Sequence, residues 1–312
     1  MATNNTANQI EHTEEIPHEA GAEQVQGGAH TPPIYAEPLF HIGKFQVTNA
    51  LLTSWLAVIV IAALAFWMRS KMKKIPGKAQ HIFEIMLEGA MSLVDQITND
   101  RKITLKIFPL VFTLFVFILI NNWIGIMPFV GSIGYYALHD GHNVFVPFFR
   151  GGMADINTTL ALSIATVVGS NVFGVLAIGL WKTFNKYVNL SALASMFTKV
   201  RKDPSVLIVS PITFFVGLME LIGEMAKIAS LSFRLFGNVF AGEVLLASMA
   251  AIFAFVVPGP FLFLEVFVGL IQALIFSLLA TVYFTIGAQD HGEHEEHDEQ
   301  HEHKEAHQVA RA

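Results

Sequence analysis

Residues 205–256 read SVLIVSPITFFVGLMELIGEMAKIASLSFRLFGNVFAGEVLLASMAAIFAFV. No proline follows Pro211 in this run of roughly fifty residues, which as one helix would measure about 75 Å at ~1.5 Å per residue. The hydrocarbon core of a bilayer is only ~30 Å thick. The run therefore either breaks near Gly237 and Gly242 or lies steeply tilted. Pro258-Gly259-Pro260 then turns the chain into a second apolar run, 260–288. The two together predict a long helical hairpin within a membrane.

The rest of the chain agrees. Of 312 residues, 53% are hydrophobic and 14% charged, with 27 Phe and a mean hydropathy of +0.53. Soluble domains carry roughly 25% charge, so an ordinary soluble enzyme is excluded. The net charge of −6 is unevenly spread. Residues 1–37 hold 6 acids and no Lys or Arg, residues 290–312 hold 8 acids and 2 bases, and the intervening body is net +6. Two acidic tails, 1–40 and 289–312, thus flank a membrane domain, 41–288. Both tails read as disordered, and the first lacks the basic and apolar segments of a signal peptide. With no Cys, the chain has no disulfide framework, Cys-ligated zinc site or thiol nucleophile.

Three shorter apolar runs, about 50–68, 107–130 and 156–181, are each long enough to span. Residues 79–98 differ. Ile82, Met86, Ala90, Leu93 and Ile97 recur at helical spacing, with Glu84, Glu88, Ser92 and Asp95 elsewhere, which predicts an amphipathic helix. It either lies along the cytoplasmic interface or packs on neighbouring spans. The fold class is an all-α membrane protein with about five membrane-embedded helices, the last two a long tilted hairpin, plus this interfacial helix.

Basic residues orient it. Arg69, Lys71, Lys73, Lys74, Lys78, Arg101, Lys102 and Lys106 lie between the first two spans, and Lys182, Lys186, Lys199, Arg201 and Lys202 follow the third. Only Lys44 and Arg150 lie on the other side. The positive-inside rule places the N-terminus outside and the C-terminus in the cytoplasm.

Glu220, Glu224, Lys227, Arg234, Glu243 and Glu265 fall where the bilayer penalises charge, about 2.5–3.5 kcal/mol for an Arg at a helix centre even on lenient scales. An ion or proton pathway explains so many better than a set of structural ion pairs. At ~100° per residue, Glu220, Lys227 and Asn238 lie within about 40° of Arg234, Glu224 about 80° away, and Glu243 about 180° away. Glu265, Gln272 and Tyr283 form one polar stripe on the last helix, suited to a hydrated passage. A guanidinium does not relay protons by losing one at neutral pH; carboxylates can load and unload them. An immobile Arg between titratable acids suggests two proton paths kept apart by one cation.

The stretch Ser230-Leu-Ser-Phe-Arg234-Leu-Phe-Gly-Asn238-Val-Phe-Ala-Gly-Glu243 closely resembles the signature of the subunit a family of F-type ATP synthases. Glu220 fourteen residues before the Arg, Lys227 between them, and Gln272 and Tyr283 in the final helix extend the likeness. So do Asn121-Asn122-Trp-Ile-Gly-Ile-Met-Pro128 and Asp155-Ile-Asn157-Thr-Thr. It covers about 40–288. The resemblance implies a proton-translocating stator in the bacterial inner membrane, set beside a ring of c subunits whose embedded carboxylates carry protons between two aqueous half-channels. Arg234 would separate those channels. Asn238, Glu243, Glu265 and Gln272 would line the outer one, with Glu220 and Ser230 towards the cytoplasmic one. Further lining candidates are Lys227, Glu224, Tyr283, Asn122, Asp155 and Asn157. Peripheral-stalk b subunits, the bilayer and, indirectly, the catalytic head are the implied partners; nucleic acid, cofactor and resident metal are not.

Some relatives carry His where this chain has Glu265, or exchange acid and His between that position and that of Glu243. Two facing Glu are expected to share a proton. The six histidines among the acids of 290–312 have a metal-binding composition, although a solvated tail is the simpler reading. Neither GxxxxGK[ST] nor HExxH occurs, so nucleotide chemistry is assigned to another subunit. A secondary transporter with a midplane site at broken helices near Gly237 and Gly242 is the alternative, against which no internal repeat is found. A scaffold whose charges merely pair is another.

Overall fold

The computed structural model describes residues 36–43, 45–73, 77–139, 142–180, 206–252 and 258–288. The readings of residues 1–35 and 289–312, of Lys44 and Lys74, and of the basic residues from Lys182 to Lys202 lie outside these. Among the described residues six long helices run in chain order: α1 (Asn49–Lys71), α2 (Lys78–Thr98), α3 (Arg101–Gly125), α4 (Ile156–Ile178), α5 (Val206–Ile252) and α6 (Pro258–Ala288). Five are long and apolar enough to cross a membrane, namely α1, α3, α4, α6 and, from Phe215 onward, α5. The protein is thus an all-α membrane protein with one additional helix, α2.

Local chemistry fixes the helix starts. Thr48, Asp100 and Asp155 cap α1, α3 and α4, their side-chain oxygens accepting from the amides of Leu51 (3.3 Å), Lys102 (2.7 Å) and Asn157 (3.3 Å). Asn99, in the left-handed conformation at φ 52°, ends α2 and hands the chain directly to the Asp100 cap. Asp100 therefore starts α3 at Arg101, before the charge-free run begins at Ile107.

Two short antiparallel hairpins accompany the helices, which hydropathy does not announce. β1 (Pro38–Ile42) pairs with β2 (Phe45–Thr48), and β3 (Gly134–His139) with β4 (His142–Pro147). Both sit at the N-terminal end of α1, because Asn49 Nδ2 donates to the Pro147 carbonyl (3.4 Å) and the Arg150 amide to Thr53 Oγ1 (3.2 Å).

The core lies where α3, α4, α5 and α6 meet. Ile118, Met153, Val167, Leu231, Leu235, Ala273 and Phe276 are buried there together. Small residues bring backbones close: a Cβ on Gly174 of α4 would meet the Gly287 carbonyl of α6 at 2.5 Å. Buried Ser277, Thr281 and Thr285 donate to carbonyls four residues back, at 2.8, 2.9 and 2.8 Å, so this α6 face exposes no orphan hydroxyl.

α2 satisfies both roles suggested by its pattern, on two faces. Leu87, Ala90, Met91 and Val94 pack on a second core of Ile107, Phe108, Val111 and Phe284. Ile82, Ile85, Met86 and Leu93 remain exposed, the apolar surface expected of a helix at a lipid boundary.

α5 is one continuous helix of 47 residues, about 70 Å at ~1.5 Å per residue. It does not break at Gly237 or Gly242. A helix of that length fits a bilayer only by inclining strongly or by extending beyond it.

Candidate functional site

α5 and α6 run antiparallel, and the polar positions of the two meet at successive levels. At one end the Glu265 carboxyl lies hard against Gly242, where a Cβ would collide with all three carboxyl atoms. Next, Asn238 Nδ2 donates to Gln272 Oε1 at 2.5 Å. Farther along, Lys227 Nζ sits 5.2 Å from the Tyr283 ring centroid, within cation–π range. The stripe of Glu265, Gln272 and Tyr283 therefore faces α5 throughout, in one consistent register.

The levels form two groups. Lys227 Nζ also bonds Glu224 Oε1 at 2.7 Å, and Asn171 Nδ2 of α4 donates to Glu224 Oε2 at 3.3 Å. Glu224, Lys227, Asn171 and Tyr283 make one cluster, with Glu220 one turn away on α5. The other contains Asn238, Gln272 and Glu265, beside Asn122, whose Nδ2 donates to the Gly269 carbonyl at 3.1 Å. Lys227 and Asn238 are eleven residues apart, about 16 Å along the axis. Between them the buried Leu231, Leu235, Ala273 and Phe276 close the α5–α6 seam. The one hydroxyl pair at this level, Ser232 and Thr159, is bonded to itself at 3.2 Å.

Arg234 lies at the level of this apolar layer but points elsewhere. Its Nη2 donates to Ser230 Oγ at 3.3 Å, and among the described residues it has no carboxylate partner. Ile212, Met219, Ser230 and Ala241 lie within about 60° of it on the helix wheel, and all four are exposed. On this side of α5 Arg234 stands among exposed residues, with Lys227 two turns away at about 20° on the wheel.

Glu243, on the opposite face, is held by a residue counted in the sequence only as a loop charge. Arg150 Nη2 meets Glu243 Oε2 at 3.0 Å, and its Nε meets both carboxylate oxygens at 3.2 and 3.3 Å. The predicted proton sharing between Glu243 and Glu265 thus meets a competing partner for Glu243. The available signal is that, of the loops between spans, the one between α3 and α4 holds a single Lys or Arg, Arg150. Asn171 was also missed, since a lone Asn in an apolar helix reads as packing.

Asp155 and Asn157 are placed differently from the rest. Asp155 is buried, and its partners among the described residues are Asn157 and Thr158, the first residues of α4. Their visible work is the α4 cap. Five buried polar atoms, Ser54 Oγ, Asp95 Oδ1, Asn121 Oδ1, Asn122 Oδ1 and Gln272 Nε2, have no protein partner among the described residues. Such groups are costly to bury unless water reaches them.

Relatives share this chain over most of its length. Residues 51–285 match the family described as ATP synthase A chain. A Mycobacterium marinum protein named ATP synthase subunit a is 31% identical over 278 residues, 88% of this chain and 97% of the relative. The same name and the same figures hold for a Mycobacterium tuberculosis protein. A Moorella thermoacetica protein of that name is 28% identical over 255 residues, 81% of this chain and 96% of the relative. With the family matched from α1 to the end of α6, the chain belongs to the ATP synthase A chain (subunit a) family.

Proposed function

We propose that the chain is the proton-translocating stator subunit of a bacterial F-type ATP synthase, non-catalytic on its own, working against a ring of c subunits. Protons enter from outside through a half-channel lined by Asn238, Glu243, Glu265 and Gln272 and neutralise a ring carboxylate. They leave after rotation through a second half-channel near Glu220, Glu224, Lys227 and Ser230. Peripheral-stalk b subunits hold the chain still, and the catalytic head uses the rotation. The driving force includes about 2.3 kcal/mol per proton for each 100 mV.

One observation carries the reading. Arg234 stands on an exposed helix face with no carboxylate partner among the described residues, level with an apolar layer that parts two polar clusters. A cation within the bilayer is costly without a counter-charge, so this face fits a partner that brings a carboxylate. The unpartnered polar atoms at Asn122 and Gln272 support hydration on the Glu265 side. Arg234, permanently charged, is suited to attract each deprotonated ring carboxylate and to stop protons passing directly between the clusters. The charge of the connecting segments supports an outside N-terminus and a cytoplasmic C-terminus. The transporter reading required a broken helix at Gly237 and Gly242, and α5 passes through both unbroken.

Purification in mild detergent tests the assignment. The chain is expected to co-isolate with a small ring-forming proteolipid that carries a membrane carboxylate. Isolation of the intact chain with no such proteolipid, from membranes that contain the ring, would contradict it.

A further inference from the structure

α2 is a three-sided helix. At ~100° per residue, Ala90, Val94, Leu87 and Met91 span one arc of about 100°, and they pack on the bundle. Glu84, Asp95, Glu88, His81 and Ser92 span a second arc of about 80°, suited to water. Ile85, Ile82, Leu93 and Met86 span a third arc of about 100°. This third side is apolar and open, its four residues 41–69% exposed.

Bases gather around the open side. Lys78 lies on it, about 40° from Ile82 on the wheel. Gln80 pins Lys73 beside the start of α2, its side chain accepting from the Lys73 amide (3.1 Å) and donating to the Lys73 carbonyl (3.3 Å). Arg69 and Lys71 close α1. Lys102 and Lys106, just past the other end of α2, stand one turn before the exposed Leu105 and Leu110 of α3. Such stems lie along apolar surface while their charged tips reach the headgroups. All six bases are exposed, and among the described residues none makes an ion pair. The nearby acids are occupied or turned away. Glu84 accepts from Gln80 (2.8 Å), Asp95 pairs with Arg101 and Asp100 caps α3. Glu88 points about 120° away from Ile82.

We infer that the open side of α2, with these six bases on it and at its ends, is a binding surface for anionic phospholipid. Acyl chains lie against Ile82, Ile85, Met86 and Leu93, and the bases collect the phosphates. Two observations favour lipid over a protein partner. Lysine is depleted in protein interfaces, whereas a cluster of about four to eight Lys and Arg beside an amphipathic helix attracts anionic headgroups. The neighbouring ends of α1 and α3, both long and apolar enough to span, also expose large apolar residues, Phe66 and Trp67 on one and Leu105 and Leu110 on the other. The surface is independent of the proton path.

Lipid-selective quenching in the assembled complex tests this. The chain contains no cysteine, so Met86→Cys carries a single bimane fluorophore once reactive cysteines of the other subunits are replaced. Val58→Cys, exposed on α1 away from the bases, is the control. Symmetric vesicles contain phosphatidylcholine and phosphatidylglycerol, with one or the other brominated in its acyl chains. At Met86→Cys, phosphatidylglycerol is expected to be preferred about fivefold, by electrostatic attraction to the bases. The preference should shrink at about 1 M salt. It should disappear when Lys73→Gln, Lys78→Gln, Lys102→Gln and Lys106→Gln are combined, and persist when the same four are changed to Arg. Val58→Cys should show no preference.

Equal quenching by the two lipids at Met86→Cys would overturn the inference. So would an equal preference at Val58→Cys, or a preference that survives the four Gln substitutions. Quenching by neither lipid would overturn it as well, because protein or water would then cover this side of α2. None of these results touches the stator reading, which ATP synthesis by the Arg234 variants decides separately.

Discussion

Arg234→Ala is expected to abolish proton-driven ATP synthesis in membranes that still assemble the complex. The loss should be about a hundredfold or more, in line with the ~3–5 kcal/mol that follows when a buried charge loses its partner. Here the group left without its partner is the ring carboxyl, which would pass the stator with nothing to favour its ionised form and so would keep its proton. Arg234→Lys should also fail badly. An ammonium is a compact, strongly hydrated point charge, whereas the guanidinium is a planar fork, weakly hydrated and able to engage two oxygens at once. Synthesis rates in energised vesicles, normalised to the amount of complex, decide the matter. Parent-like rates in either variant would remove Arg234 from the mechanism.

The second large effect belongs to the apolar layer. Phe276 is fully buried with Leu231 and Leu235, between the Lys227–Glu224 cluster and the Asn238–Gln272 pair. Phe276→Asn puts an amide into that layer and leaves space around it, conditions that admit water. The expected result is a proton leak through the membrane sector, with passive gradient decay about tenfold faster and synthesis correspondingly uncoupled from the head. Phe276→Leu keeps the layer dry and should leak little. Gradient decay measured with the catalytic head removed reports this directly, and an unchanged decay in Phe276→Asn would show that the seal lies elsewhere.

Much of this arrangement is legible in the sequence because a membrane makes the pattern coarse. Apolar runs of ~20 residues have few alternatives to helices, and charge within them stands out against Leu, Ile and Phe. The stripe of Glu265, Gln272 and Tyr283 follows from the helical repeat alone, and it does face α5. What stays hidden depends on contacts distant in sequence. Arg150 and Glu243 are separated by 93 residues, and no periodicity joins a loop arginine to an acid on the penultimate helix. Asn171 and Glu224 pose the same difficulty.

Two further features escape for local reasons. The short hairpins β1–β2 and β3–β4 mix polar and apolar residues over only four to six residues a strand, so they read as connections between the spans. In α2 the apolar residues occupy two faces: of the periodic set Ile82, Met86, Ala90, Leu93 and Ile97, Ile82, Met86 and Leu93 stay exposed, while Ala90 packs inward with Leu87, Met91 and Val94. At Gly237 and Gly242, glycine lowers helix propensity by about 1 kcal/mol relative to alanine. Without unsatisfied backbone groups to gain from water, a break there has little to recommend it, and α5 continues.

The chain contains no cysteine, so a single introduced thiol reports its surroundings without ambiguity. Cysteine at Ser230 or Ala241, on the exposed face beside Arg234, is expected to form a disulfide with a cysteine placed next to the ring subunit's carboxylate in the assembled complex. Cysteine at Val58, equally exposed but on α1, should not. Cross-links from Val58 alone, or none from Ser230 and Ala241 in intact complexes, would contradict a moving carboxylate that passes the Arg234 face.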